Sequence, residues 1–430
     1  MSAPTLPRDY PERLVLADEV HASPYEALET PEVAAYVAVL VEPDERPAER
    51  AHLVALCERF GVTPPPESSN HFRGVFGPVR LKWERHGEFS AYTAFFRGAG
   101  EPPQAASALA ALPADWVAAI PGRTIAAAEA ALVPAAPDPP DPAALAARFR
   151  GNVVVGAEIG DGAGLAYTDF RIHPDGFVRF LVVDRSLTPR QAGRMMQRLF
   201  EIEAYRVMAL LALPIARREG PRVVEIERSL ATLTDAMARD SGADEALLGQ
   251  LSFLAAQVES ALAASQYRFG ASRAYYDLVR ARIAELRERR IPGLQTIEEF
   301  MSRRLAPAMA TCESVSRRLG GMSERVARAS SLLSTRVDIA RERQNQALLA
   351  SMDRRARMQL RLQQTVEGLS IAAITYYVVG LVGYAVKALR SAGAPLDVDL
   401  VVGVAIPVVA ALAALGLRHV KRRIVGRPEA

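Results

Sequence analysis

Cysteine is nearly missing from this chain: Cys57 and Cys312 are the only two in 430 residues. That excludes a disulfide framework and any zinc ribbon or finger, and it suits a reducing compartment. Lysine is almost as scarce. Only Lys82, Lys387 and Lys421 occur, so arginine carries nearly all the positive charge. No GxxxxGK[ST] loop exists, which removes the P-loop nucleotide-binding class. Gly160, Gly162 and Gly164 lie between two strand-like segments with no helix opening after them. They read as a hairpin turn. No Ser/His/Asp or Cys/His order stands out, and Cys312 beside Glu313 reads as a small core residue. The first ten residues hold no apolar run, so no secretory leader is expected and the N-terminal part stays on the side where it is made.

Half of the chain is hydrophobic and 23% is charged, which excludes collagen-like and wholly disordered classes. The net charge of +3 names no partner, but its distribution is polarised. Residues 1–150 hold 20 acidic and 13 basic residues, whereas residues 273–361 hold 19 Arg against 10 Asp and Glu. Solvated helix faces are the ordinary explanation for such arginines, and nucleic acid is not expected as a partner.

Two runs near the end decide the location. Residues 369–386 and 400–417 each contain no charged residue and no His. Each is at the lower edge of bilayer-spanning length, and together they predict a transmembrane hairpin. Proton relays and voltage sensors need an ionisable group inside a span, so neither is expected. Arg354, Arg355, Arg357 and Arg361 precede the first run. Arg418, Lys421, Arg422 and Arg423 follow the second. Basic residues on both outer flanks place both termini in the cytoplasm and make these side chains candidate lipid-headgroup contacts. Pore-lining candidates within the first run are Thr375, Tyr376, Tyr377, Gly380, Gly383 and Tyr384. The plainer reading is interfacial anchoring by tyrosine and close helix packing at glycine.

The rest predicts an α+β cytoplasmic domain over 1–186 and a helical, coiled-coil stalk region over 187–364. The first span follows at 365–390, the second at 399–418, and a basic tail at 419–430. Residues 31–60 read as helix, with Gly61 past its end. Residues 79–86 and 88–97 read as a strand pair, and 134–145 as a linker. Residues 153–159, 165–172 and 177–183 read as further strands. Thr188 with Gln191, and Thr296 with Glu299, have the spacing of helix N-caps. Pro214 closes the first of these helices. Residues 222–290 read as helical with a break near Ser241. Between Gly321 and Gly368 there is no Gly or Pro, and Leu319, Val326, Leu333, Ala340 and Ala347 recur by sevens. That pattern predicts a heptad seam on one long helix.

Glu84, His86 and Glu88 alternate, and on one continuous strand they would share a face. With Glu19 and His21 they form a carboxylate and imidazole set suited to a metal. The competing reading is a polar cluster paired with Arg73, Arg80 and Arg85. Asp169 and Arg171 close a strand before His173 and read as a structural ion pair. No cofactor is expected.

Several stretches carry a resemblance. They are Leu16-Ala17-Asp18-Glu19-Val20-His21-Ala22-Ser23-Pro24, Trp83-Glu84-Arg85-His86 with Glu88-Phe89, and Thr168-Asp169-Phe170-Arg171. Glu201-Ile202-Glu203-Ala204-Tyr205-Arg206, Arg303-Arg304-Leu305-Ala306-Pro307-Ala308-Met309 and Gln359-Leu360-Arg361-Leu362-Gln363 complete the set. Together they resemble the bacterial membrane-anchored proteins of domain-of-unknown-function family 3422. In that family's pattern an Arg stands where this chain has Ser23. The resemblance implies anchoring in the bacterial inner membrane and no established activity. In layout alone, the chain is similar to the pentameric CorA-type divalent-cation transporters. Their Gly-Met-Asn motif is replaced here by Val382-Gly383-Tyr384-Ala385. A stalk with C-terminal membrane helices is also similar to mitochondrial inner-membrane tethers. The expectation is therefore a non-enzymatic, homo-oligomeric scaffold or tether whose cytoplasmic domain meets protein partners. A CorA-like ion pathway is the alternative, and a metal-dependent enzyme a distant third.

Overall fold

The computed structural model describes residues 7–8, 10–13, 25–98, 107–137, 142–239, 243–391 and 397–425. The chain divides into two compact units, Met1–Ser330 and Ser331–Ala430.

The first unit is built on one nine-stranded sheet in the order β2-β3-β4-β1-β5-β8-β7-β6-β9. The strands are β1 (Glu32–Leu40), β2 (His71–Phe76), β3 (Val79–Arg85), β4 (Phe89–Arg97), β5 (Arg123–Pro134), β6 (Val155–Ile159), β7 (Gly164–Thr168), β8 (Val178–Asp184) and β9 (Arg289–Arg290). All neighbours are antiparallel except β5 and β8. The predicted pair of strands around Gly87 is β3 and β4. The Gly160 turn joins β6 to β7, with Gly160, Asp161 and Gly162 all at positive φ.

Residues 31–60 are not one helix. They form β1 and then α1 (Arg46–Phe60). β1 lies mid-sheet between β4 and β5 and is buried on both faces, so it shows no alternation. A continuous apolar run of this kind has no period that separates strand from helix. Gly61 does end α1, at φ 66°, with Val62 N–H donating to Cys57 O at 2.8 Å. That is the left-handed C-terminal turn for which glycine is favoured.

Helices cover both faces of the sheet. One face carries α1, α2 (Ser107–Ala110) and α3 (Ala114–Ala118), around Trp83, Tyr92 and Trp116. Farther along that face, α4 (Pro142–Arg148) accompanies Phe149, Leu165 and Tyr167. The opposite face carries α5 (Pro189–Leu210), α7 (Asp244–Leu286) and α8 (Ile297–Arg304). There the strands offer Ala34, Ala38, Ala126, Ala128 and Ala130, and the helices fill the space with Met195, Met196, Leu199 and Phe200. Small against large is what native packing density requires. Between α5 and α7 runs α6 (Leu213–Ala238), so Pro214 opens a helix and does not merely close one. Both predicted caps form full capping boxes, at Thr188 and at Thr296.

The long helix α9 (Ala306–Ser391) begins in the first unit. There Met309, Cys312, Val315, Leu319, Met322 and Val326 form a buried stripe that includes the predicted Leu319 and Val326, and Arg318 pairs with Glu227 at 2.6 Å. Ala340 and Ala347, the later seam positions, are exposed. The second unit holds the remainder of α9 and α10 (Val398–Val425). A Cβ added to Gly383 would lie 3.5 Å from Val402 Cγ2, so the two helices approach closely at that glycine.

Candidate functional site

A pocket of the first unit that gathers four arginines is assembled where β7 ends. Thr168 Oγ1 accepts the Phe170 N–H at 3.2 Å, and Asp169 Oδ1 accepts the Arg171 N–H at 3.1 Å. These two short bonds reverse the chain and hold Phe170 at φ 50°. A bulky side chain in that region costs about 1–3 kcal/mol and persists only where its surroundings enforce it. Here the Phe170 ring stacks on Phe300 at 5.0 Å and meets Phe180 edge-on at 5.9 Å. Asp169 is fully buried. Its Oδ2 accepts from Asn152 Nδ2 at 2.8 Å and lies 3.0 Å from His173 Nε2. A proton on His173 Nε2 completes that set, leaving the buried Nδ1 without a partner among the described residues. Asp169 and Arg171 thus do not pair with each other. The aspartate ties three segments together, and the arginine is left exposed.

The pocket in front of this turn measures about 410 Å³. Leu210, Phe300, Met301 and Leu305 give it apolar walls, and Arg171, Arg206, Arg303 and Arg304 line it with guanidinium groups. Arg206 lies over the Phe170 ring and is held by Glu203 at 2.5 and 3.1 Å. Arg171 and Arg304 make no side-chain hydrogen bond or ion pair among the described residues. Arg303 acts on Glu299 through charge alone. Arg303 and Arg304 close α8, where the helix dipole favours cations. The pocket is therefore cationic with an apolar lining, a combination suited to an anion that carries an apolar part.

A family model described as "Protein of unknown function (DUF3422)" matches residues 8–424. The chain belongs to the DUF3422 family. No curated protein and no solved structure matches it. Likeness to the CorA-type transporters therefore rests on layout alone. Three of the stretches that resemble the family meet at the pocket just described, although about 135 residues separate the first from the last: Thr168 to Arg171, Glu201 to Arg206 and the start of Arg303 to Met309.

Of the metal-ligand candidates, only Glu84, His86 and Glu88 fall among the described residues, and of these Glu84 and His86 line one pocket. Glu19 and His21 lie outside the described residues. His86 falls between β3 and β4, so the alternation of Glu84, His86 and Glu88 on one strand is broken. Glu84 pairs with Lys82 at 2.9 Å. Glu88 pairs with Arg268 at 2.9 Å and accepts from Tyr267 at 2.7 Å. His86 stacks on Phe89 at 4.4 Å, and burial pushes its pKa down against the pull of Glu84 and Glu201. Among the described residues no group of three or more His, Cys, Asp or Glu could hold a metal. The competing arginine pairing also differs from expectation. Arg73 and Arg80 pair with Glu26, and Arg85 pairs with Glu49.

Sequence reasoning missed the half-buried polar chain that starts at Lys82 near His86. Lys82 donates to Gln197 at 3.0 Å, Gln197 donates to Glu201 at 2.7 Å, and Glu201 pairs with Arg282. Its one available signal was a lysine in a chain that otherwise avoids lysine. Asn152 and Phe300 at the cationic pocket carried no signal, because only the fold brings them to Asp169 and Phe170.

In the second unit, Thr375 spends its hydroxyl on Ile371 O of its own helix at 2.7 Å. Tyr376, Tyr377 and Tyr384 are exposed, as are Gly380, Arg354, Arg355, Arg357, Arg361 and Arg418, while Gly383 is half-buried. Arg357 pairs with Asp353. The side chains of Lys421, Arg422 and Arg423 lie outside the described set.

Proposed function

We propose that this protein is a membrane-anchored, non-enzymatic scaffold or tether of the bacterial inner membrane. The single observation that carries the anchoring is the exposure of two apolar helices. Among the described residues three helices are long and apolar enough to cross a bilayer. α7 is the least hydrophobic, at mean hydropathy 1.2, and its apolar stripe is used inside the first unit. The apolar stretches of α9 and α10 reach 1.8 and 2.6 with almost nothing buried. Apolar surface on that scale is costly in water and at home in lipid. In this reading the two helices form a hairpin with both termini cytoplasmic. Arg354, Arg355, Arg357, Arg361, Arg418, Lys421, Arg422 and Arg423 then meet anionic headgroups.

Topology is tested by cysteine labelling in intact cells with a membrane-impermeant maleimide. Both native cysteines are buried and leave the background low. Ser391→Cys is expected to react from outside, and His419→Cys only after permeabilisation. Labelling of His419→Cys from outside would overturn the hairpin.

Self-association is supported by exposed Leu348, Leu349, Met352, Met358, Leu360 and Leu362 on α9, a concentration of apolar side chains unusual for a solvated helix. Mass measurement of the detergent-extracted full chain is expected to give a closed homo-oligomer. A monomer at micromolar concentration would refute it. Liposome flux decides the CorA-like alternative: cation flux through the purified oligomer would replace the scaffold reading with an ion pathway.

A further inference from the structure

We infer that the pocket between the β7 turn and α8 binds a phosphate ester bearing an apolar group, independently of how the chain is anchored. Three features carry the inference. First, the charge is uncompensated. Arg206 is neutralised by Glu203, but Arg171 and Arg304 have no ion pair among the described residues, and Arg303 has no salt bridge among them, only the charge of Glu299 one helical turn away. The one carboxylate lining the same pocket, Asp169, already accepts from Asn152 and the Arg171 N–H, so its oxygens are committed within the protein. Three guanidinium groups crowded at one mouth repel each other, and a dianion reverses that balance. Second, the donors have the right shape. The planar guanidinium fork matches phosphate oxygens and remains charged at any physiological pH. Third, the remaining wall is apolar. Phe300, Met301 and Leu305 face a space of about 410 Å³, within the range of small-ligand sites. A bare inorganic anion would leave that wall wet.

The turn supports the same conclusion. Phe170 is held in a left-handed conformation by two side-chain-to-backbone bonds and by stacking on Phe300. This conformation fixes the backbone from which Arg171 projects at the edge of the pocket.

The phosphate ester has two possible sources, a soluble phosphoester or a phosphatidate headgroup. The test uses the full chain in detergent, titrated with phenyl phosphate, with dihexanoyl phosphatidic acid and with inorganic phosphate. Saturable binding of at least one ester, tighter than inorganic phosphate, is expected. Arg171→Gln and Arg304→Gln should each weaken it roughly ten-fold, the loss of one charge-assisted contact. Both residues are exposed and without an ion pair among the described residues, so neither substitution should change the melting temperature of the unliganded chain. Arg317→Gln, on α9 outside this pocket, should leave binding unchanged. Tighter binding of the phosphatidate assigns a lipid source, and tighter binding of phenyl phosphate a soluble one. The inference is overturned if no ester saturates, if inorganic phosphate binds as tightly as both esters, or if Arg317→Gln weakens binding as much as the pocket variants.

Discussion

At the residue scale, buried charge is where the chain is most sensitive. Glu129 lies on β5 opposite Arg179 of β8 and is 5% exposed. Burial pushes its carboxyl up to about 7, against the opposing pull of Arg179 and Arg148 and with added repulsion from Asp175. An unfolded glutamate titrates near 4.5. Between those values the folded chain holds a proton that the unfolded chain has released. Stability from this group therefore falls as pH rises through the window and levels off above about 7. The full effect is on the order of 3 kcal/mol. Glu129→Gln is expected to change the melting temperature little at pH 5 and to raise it at pH 8. An equal change at both pH values would show that Glu129 does not titrate in this window. Gly193 has a different constraint. A Cβ there would sit 1.6 Å from the Glu26 carbonyl oxygen, so only glycine lets the segment before β1 lie against α5. Neither demand is written in the local sequence, because each depends on a neighbour distant along the chain.

At the element scale, caps and turns were legible and central strands were not. Thr188 and Thr296 announce helix starts through bonds that span three residues, and both form as read. β5, with its run of Ala126, Ala127, Ala128, Glu129, Ala130 and Ala131, has a helix former's composition. It is a strand because β1 and β8 pair with its two edges and α5 needs small side chains beneath it. α7 presents the reverse ambiguity. By length and composition it could cross a membrane. Its residues Leu247, Leu251, Leu254, Val258 and Ala261 instead form a buried stripe at alternating four- and three-residue steps. Ser272 of the same helix donates to Ala209 O of α5. Leu251→Asp is expected to cost several kcal/mol and to unfold the first unit, by placing an unpaired charge in the core. Phe253→Asp, at a position 66% exposed, should shift the melting temperature by only a few degrees. Circular dichroism melts of the two variants check this. Comparable melting of both would remove α7 from the core.

At the scale of the whole molecule, charge and hydropathy divide the chain in the same order as the fold. Five of the nine strands lie in the acidic first 150 residues, β9 comes from the arginine-rich segment, and the exposed apolar helices occupy the last 62 residues of the sequence. The helices after β8 do not all belong to a stalk. α5, α7 and α8 cover one face of the sheet, and the first compact unit extends to Ser330. Of the predicted seam positions Leu319, Val326 and Leu333 are buried, whereas Ala340 and Ala347 are exposed. A heptad pattern reports that a stripe is meant for burial. It does not report what buries it.

The sequence alone was enough for the properties that accumulate along the chain: the two uncharged runs, their basic flanks, the capped helix starts and the glycine turn between β6 and β7. Each rests on composition or on residues that interact within a few positions of one another. The tertiary structure alone decided which apolar runs became central strands, which apolar helix joined the core, and which arginines gathered in one pocket. Arg171 and Arg304 are 133 positions apart and look like the chain's many other arginines until the β7 turn and α8 place them in one pocket. Long-range burial and the competition of distant carboxylates for each cation set these outcomes, and neither leaves a mark at the spacing of a local motif.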